Sequence, residues 1–319
     1  MLIAKADPAG RFRIVDAFSR PVRLGEGLSA TGRLSNAAMD RAMDALTVCA
    51  ERLYSLGVVR VRAIATEACR RAENGMDFLK RVRAEAGLRI QAITSEEEAT
   101  LTLQGCATLF RPDCDRALLF DIGGGSTEVM WVACDPAKPL RLLDMISIPC
   151  GVVDFAERFG SGRVAPETYP LMVGEIDRAL AGFAADRDIA RGMGDQRGQV
   201  VGTSGTMTTL AAVHLGLECY DRLRVDGANI AYGDIRDLSG RLAGLDRQSR
   251  AVIPCIGVER ADLVVAGCAI LEAICSRWTV KWLTVADRGI REGMLLGLMS
   301  EDGLSPRAEN AGPVQEHVI

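Results

Sequence analysis

The residue order predicts a two-lobed α/β chain, and three observations carry that expectation. Short runs with strand alternation take turns with amphipathic stretches through the first hundred residues. Two later apolar runs end in glycine-rich turns, DIGGGST at 121–127 and GTSGT at 202–206. At 319 residues the chain is long for one core and comfortable for two.

In the first lobe, RFRIVDAFS (11–19) alternates as a strand does, and PVRLGEG leads it into a turn. Ser35 precedes a helix over 37–56, with Ala38, Ala42, Ala45, Leu46, Cys49 and Leu53 near one face and Gly57 as its stop. VVRVRAIAT (58–66) reads as a strand, 74–87 as a helix and LRIQAIT (88–94) as a strand. Ser95 is expected to cap the next helix, with Glu98 completing a capping box. The alternation predicts a largely parallel sheet.

The second lobe is expected to begin near Cys114. RALLFDIGGGSTEVMWVACD reads as strand, turn, strand, and LRLLDMISIP as a third strand. A helical stretch follows around 167–185, and GQVVGTSGTMTTLAAVHLG is strand, turn, helix. Residues 259–277 form an apolar helix, KWLTVAD (281–287) a buried strand and RGIREGMLLGLM a closing helix. The expected domains are 1–115 completed by 288–300, 116–287, and a flexible tail at 301–319.

Composition narrows the function classes. Apolar residues are 48% and charged residues 25%, which is ordinary for a globular protein. A net charge of −4 gives no broad attraction for nucleic acid, so no specific nucleic-acid partner is expected. A polyanionic ligand has to be held by local cations and backbone amides. No apolar run reaches the roughly 18 residues of a membrane span, and MLIAKADPAGRF lacks the basic start of a secretory signal. The ten cysteines, spread from Cys49 to Cys275 with no C-x-x-C, read as reduced thiols in a cytoplasmic protein. Two histidines, His214 and His317, exclude a His-rich metal site.

Three adjacent glycines between two strands let Gly123, Gly124 and Gly125 bring backbone amides close to an anion. Ser126 and Thr127 add hydroxyls. Asp121, ending the first strand, is placed to hold Mg²⁺, because hard cations select carboxylate oxygen. In the second turn, Gly202, Thr203, Ser204, Gly205 and Thr206 open directly into a helix, which suits phosphate. In ATEACRR (65–71), Arg70 offers a planar fork for phosphate oxygens, whereas Arg71 fits a solvated turn. TSEEEATL (94–101) opens a helix with three acids, and these residues alone do not place Glu98 at a reacting centre.

ATEACR, SEEEA, DIGGGSTE, SIPCGVV, GTSGT and DRGIREG occur in that order from about Arg11 to Met299. Together they resemble the exopolyphosphatase/guanosine pentaphosphate phosphohydrolase family. The resemblance implies two actin-like (ribonuclease H-like, ASKHA) lobes with an inter-lobe cleft, and Mg²⁺-dependent release of terminal phosphate from polyphosphate or pppGpp. It implies Glu98 as the base activating water, Asp121 as the Mg²⁺ acid with Glu128 as a further carboxylate, and Arg70 as a phosphate ligand. It further implies that the Glu98 helix and the 121–127 turn share one hydrated gap. Family members often pair, which implies a homodimer.

The chain departs from the family twice. It lacks the C-terminal metal-phosphohydrolase-like domain of longer members, and so resembles the short two-lobe form. It also lacks the opening strand and first phosphate loop, of the type Asp-Leu-Gly-Ser/Thr-Asn-Ser. Either the start lies further upstream or the chain is an N-terminally truncated form; as it stands it is expected to have weakened or no hydrolytic activity, and an in-frame upstream extension to be active. Three functions compete on these residues: the phosphohydrolase, a non-hydrolysing pppGpp or polyphosphate sensor, and an actin-like metabolite kinase.

Overall fold

Ile3 and Ile14 turn inward from a short antiparallel hairpin, β1 (Leu2–Ala6) and β2 (Phe12–Ala17), at the start of the chain. The structure is a computed structural model and describes residues 1–8, 10–135, 138–160, 162–183, 186–194 and 197–304. The chain divides into two compact units, Met1–Thr108 with the chain from Gly289 onward, and Leu109–Arg288. Of the tail expected at 301–319, the part from 305 on lies outside the described residues.

In the first unit, α1 (Leu28–Thr31) precedes α2 (Asn36–Ser55), which Ser35 starts by accepting from the Ala38 amide. The inward face of α2 is built from small residues and one methionine: Ala38, Ala42, Met43 and Ala45. Then come β3 (Ala63–Ala65), α3 (Glu67–Arg71), α4 (Gly75–Ala86), β4 (Ile90–Ala92) and α5 (Ser95–Cys106). Phe78, Leu79 and Val82 of α4 join Leu28, Leu34, Ala42, Met43 and Cys69 in one core.

Three expectations for this unit are corrected. Its strands form two separate pairs, β1–β2 antiparallel and β3–β4 parallel, not one largely parallel sheet. Only Ala63–Ala65 of the 58–66 stretch is strand. Alternation shows that two faces differ, not that either is covered. Val59 and Val61 face solvent at 92% and 51% exposure, while Arg60 reaches Glu301 and Asp302 and Arg62 reaches Glu97. Finally, Thr94 caps α5 by accepting from the Glu97 amide, so Ser95 is the first helical residue and its capping box with Glu98 does not form.

The second unit opens with β5 (Arg116–Ile122), β6 (Thr127–Ala133) and β7 (Arg141–Ile148), the three successive strands expected. They lead to α6 (Val152–Phe159), α7 (Thr168–Leu180), α8 (Asp186–Gly194), β8 (Gly198–Thr203) and α9 (Ser204–His214). The chain continues through α10 (Arg222–Val225), β9 (Asn229–Ala231), α11 (Tyr232–Gly244), α12 (Arg247–Ala251), α13 (Gly257–Arg260), α14 (Val264–Arg277) and β10 (Trp282–Ala286). The strands form one mixed six-stranded sheet in the order β7-β6-β5-β8-β10-β9. β8 runs parallel to β5 and β10, and the other pairings are antiparallel. Leu118, Phe120, Ile122, Val129 and Trp131 share a core with Met172, Ile176 and Leu180 of α7, Leu210 of α9 and the apolar α14.

Arg250 of α12 is fully buried in this unit. It donates to the carbonyls of Leu242 (3.0 Å), Leu245 (2.8 Å) and Ala261 (2.8 Å), and also to that of Gly162. Burial pulls its pKa below the ordinary arginine value.

The chain then returns to the first unit through α15 (Ile290–Glu301), which lies on α5. Glycine allows that contact. A Cβ on Gly105 would lie 1.9 Å from the Gly289 carbonyl oxygen, and one on Gly293 would lie 2.0 Å from that of Leu101. All ten cysteines are free thiols. Among the described residues, no helix is long and apolar enough to cross a membrane.

Candidate functional site

Strand register aligns Ser147, Glu128, Asp121, Thr203 and Ala286 across β7, β6, β5, β8 and β10. Directly paired residues share a face, with Cβ atoms about 5 Å apart. Asp121 and Glu128 are thus neighbouring carboxylates at the base of the 123–126 turn. Asp121 is half-buried, while Glu128 is 2% exposed and accepts from the Ser147 hydroxyl at 2.8 Å. Two hard oxygen donors at this spacing fit a divalent cation such as Mg²⁺, and closely set negative charges favour one.

Within the turn the roles divide. The Gly123 amide donates to the Ser126 carbonyl at 2.9 Å, so it closes the turn instead of facing outward. Thr127 is fully buried and its hydroxyl donates to the Cys150 carbonyl at 2.8 Å, which corrects its expected role as a donor to phosphate. The turn rests on the start of α6: the Val152 amide donates to the Gly123 carbonyl and the Val153 amide to that of Gly124, each at 3.0 Å. Gly124 is exposed, and Gly125 half-buried, while Ser126 is 3% exposed.

In the second turn, most side-chain positions face the protein. A Cβ on Gly202 would lie 2.5 Å from Cζ of Phe120, so this glycine serves packing and not anion approach. The Thr203 hydroxyl donates to the Arg288 carbonyl at 2.7 Å. Thr206 is buried, with its side chain against Gly267 of α14, where an added Cβ would lie 2.4 Å from its Oγ1. Gly202, Thr203 and Thr206 are therefore corrected as side-chain ligand positions. Ser204 and Gly205 remain accessible, and Ser204 holds φ 85°, a left-handed backbone that lets β8 pass into α9 without a loop.

Neighbouring polar groups, missed in the sequence, brace this strand end. Tyr220 donates to Asp287 at 2.7 Å, Arg222 to the Asp287 carbonyl at 2.6 Å, and Arg288 pairs with Asp226. These groups lie at 220–226 and 287–288 along the chain, and no local pattern joins them.

Glu98 lies on α5 in the first unit, at 12% side-chain exposure. Arg70 of α3 donates to Glu98 at 2.9 Å, to the Ile93 carbonyl at 2.7 Å, to Glu67 at 3.0 Å and to Ser95 at 3.2 Å. Burial disfavours its charge, but the bonds to Glu98 and Glu67 outweigh that and raise its pKa. Four of its five N–H groups are engaged. In this structure the Arg70 fork holds Glu98 in place.

A profile of the Ppx/GppA phosphatase family matches residues 2–302. A solved Ppx/GppA family member from Aquifex aeolicus is 27% identical, with a TM-score of 0.73 and 94% of each chain covered. A solved exopolyphosphatase from Cytophaga hutchinsonii is 24% identical, with a TM-score of 0.80, covering 95% of this chain and 94% of that one. The second likeness shows the fold alone. Both agree with the two-lobed α/β fold.

Proposed function

This chain belongs to the Ppx/GppA phosphatase family, and on that footing we propose that it removes the terminal phosphate of inorganic polyphosphate, pppGpp or both, in the cytoplasm and as a homodimer. The reading rests chiefly on the end of the β5–β6 hairpin, where Asp121 and Glu128 stand in register beside a turn free of bulky side chains. That arrangement suits an anhydride phosphate with its counter-ion. Asp121 and Glu128 would hold Mg²⁺, which when bound neutralises charge on phosphate oxygens.

The protein groups divide the remaining work. Gly124, Gly125 and Ser126 present backbone amides to phosphate oxygens, with Ser204 and Gly205 serving a neighbouring phosphate or ribose. Glu98 orients a water and takes its proton as the water attacks the terminal phosphorus. The bond to the bridging oxygen breaks, and the shortened chain leaves.

Phosphate release from long-chain polyphosphate and from pppGpp, with Mg²⁺ or with EDTA, tests this reading. Release from at least one substrate is expected, falling roughly 100-fold in EDTA. Tight binding with no release would favour the sensor, and ADP formation dependent on a co-substrate would favour the kinase.

The Arg70 contacts carry a separate prediction. Arg70→Ala should lower kcat by roughly 10- to 100-fold, because a base left unheld strays from its line of attack. KM should change less than threefold if Arg70 holds Glu98 and not substrate. A large KM rise at unchanged kcat would mark it as a phosphate ligand.

A further inference from the structure

Gly151 sits at the start of α6 with φ −120° and ψ −177°, an extended backbone open to any residue. Its glycine is explained by contact. A Cβ there would lie 2.3 Å from the Gly124 carbonyl carbon, 2.4 Å from its oxygen and 2.5 Å from the Gly125 nitrogen. Backbone is therefore packed on backbone, with no flexible side chain able to give way.

That contact fixes which way the turn's amides point. The Gly123 and Gly124 carbonyls accept from Val152 and Val153 at 3.0 Å each. In a planar trans peptide, the carbonyl of one residue and the N–H of the next point in opposite directions. Since both carbonyls are drawn to α6, the Gly124 and Gly125 N–H groups must project away from it, side by side. Among the described residues, neither amide has a backbone acceptor. Accepting a bond at the carbonyl also polarises each peptide and strengthens its N–H as a donor.

We propose that Gly151 is a positioning residue: the absence of its side chain lets α6 hold the turn so that the Gly124 and Gly125 amides bind one phosphate group together. The inference rests on the reading of the 123–126 turn as a phosphate site. Gly151 acts through the turn and touches no reacting atom.

Three variants test it. Gly151→Ala should raise KM for polyphosphate about tenfold, with kcat changed less than threefold. Val152→Pro replaces the N–H that holds the Gly123 carbonyl with a ring carbon that pushes this carbonyl away, while suiting the first helical position and its extended predecessor, so it should shift the turn and raise KM about fivefold. Gly192→Ala is the structural control: its Cβ would lie 2.6 Å from Cη2 of Trp131, so it should lower thermal stability and leave KM unchanged.

A second readout needs no turnover. In ¹⁵N-glycine-labelled parent protein, inorganic tripolyphosphate should move the Gly124 and Gly125 amide protons downfield, and Val152→Pro should reduce the movement at saturating ligand. Parental KM and parental shifts in Val152→Pro would overturn the proposal, as would an absence of movement at both glycines in the parent. Movement in a parent that hydrolyses nothing would sink the hydrolase and keep the proposal; hydrolysis with both amides still would do the reverse.

Discussion

Glu98→Gln should lower phosphate release about 1,000-fold, within the range for loss of a general base, while polyphosphate affinity stays within about threefold. The substitution is nearly isosteric and keeps an oxygen able to accept the 2.9 Å bond from Arg70. The Thr94 cap and the glycine-lined contact of α5 with α15 do not involve the carboxylate, so the helix itself should stand unchanged. What disappears is the capacity to take a proton from water. Glu67→Gln is the matched control, because Glu67 also accepts from Arg70, at 3.0 Å. It should cost less than about tenfold if only Glu98 handles the proton. Comparable losses in both variants would mean that the cluster matters as a charged scaffold and that neither acid is the base.

Arg250→Met should destabilise the second unit by about 3–5 kcal/mol, the range for breaking a buried charged network. The guanidinium joins the end of α11, at Leu242 and Leu245, to the carbonyls of Gly162 and Ala261. Methionine fills much of the volume but leaves four carbonyls without that donor, each costing about 1–3 kcal/mol if water does not replace it. Arg250→Lys should be nearly as damaging, since one ammonium cannot spread over four acceptors as the planar fork does. All three tryptophans, Trp131, Trp278 and Trp282, lie in this unit, so urea unfolding followed by their fluorescence reports it selectively. An unchanged midpoint in both variants would show that water meets those carbonyls equally well.

What could be read from the residues follows how local each constraint is. The β5–β6 hairpin with DIGGGST at its tip was legible because two apolar strands and their turn adjoin in sequence. The same holds for β8 passing into α9. Gly151 was not legible as a support, because its reason is a backbone contact with Gly124, 27 positions earlier. Thr127, Thr203 and Thr206 looked like ligand donors because hydroxyl spacing says nothing of direction. Two of them bond to distant carbonyls and the third packs against Gly267. Arg70 offered a free fork on paper, yet three of its acceptors come from the 93–98 stretch, which meets α3 only in the fold. Arg250 defeats a composition argument outright, since arginine is rarely fully buried and its four carbonyl acceptors come from separate parts of the chain. β9, three residues long, carries too little pattern to register.

The central claim is that water attacks the terminal phosphorus of a phosphate anhydride, and hydrolysis in ¹⁸O-labelled water tests it most directly. The account predicts that each released phosphate carries one ¹⁸O from solvent, and that the shortened chain or nucleotide carries none. Label in the shortened product, or unlabelled phosphate, would contradict it.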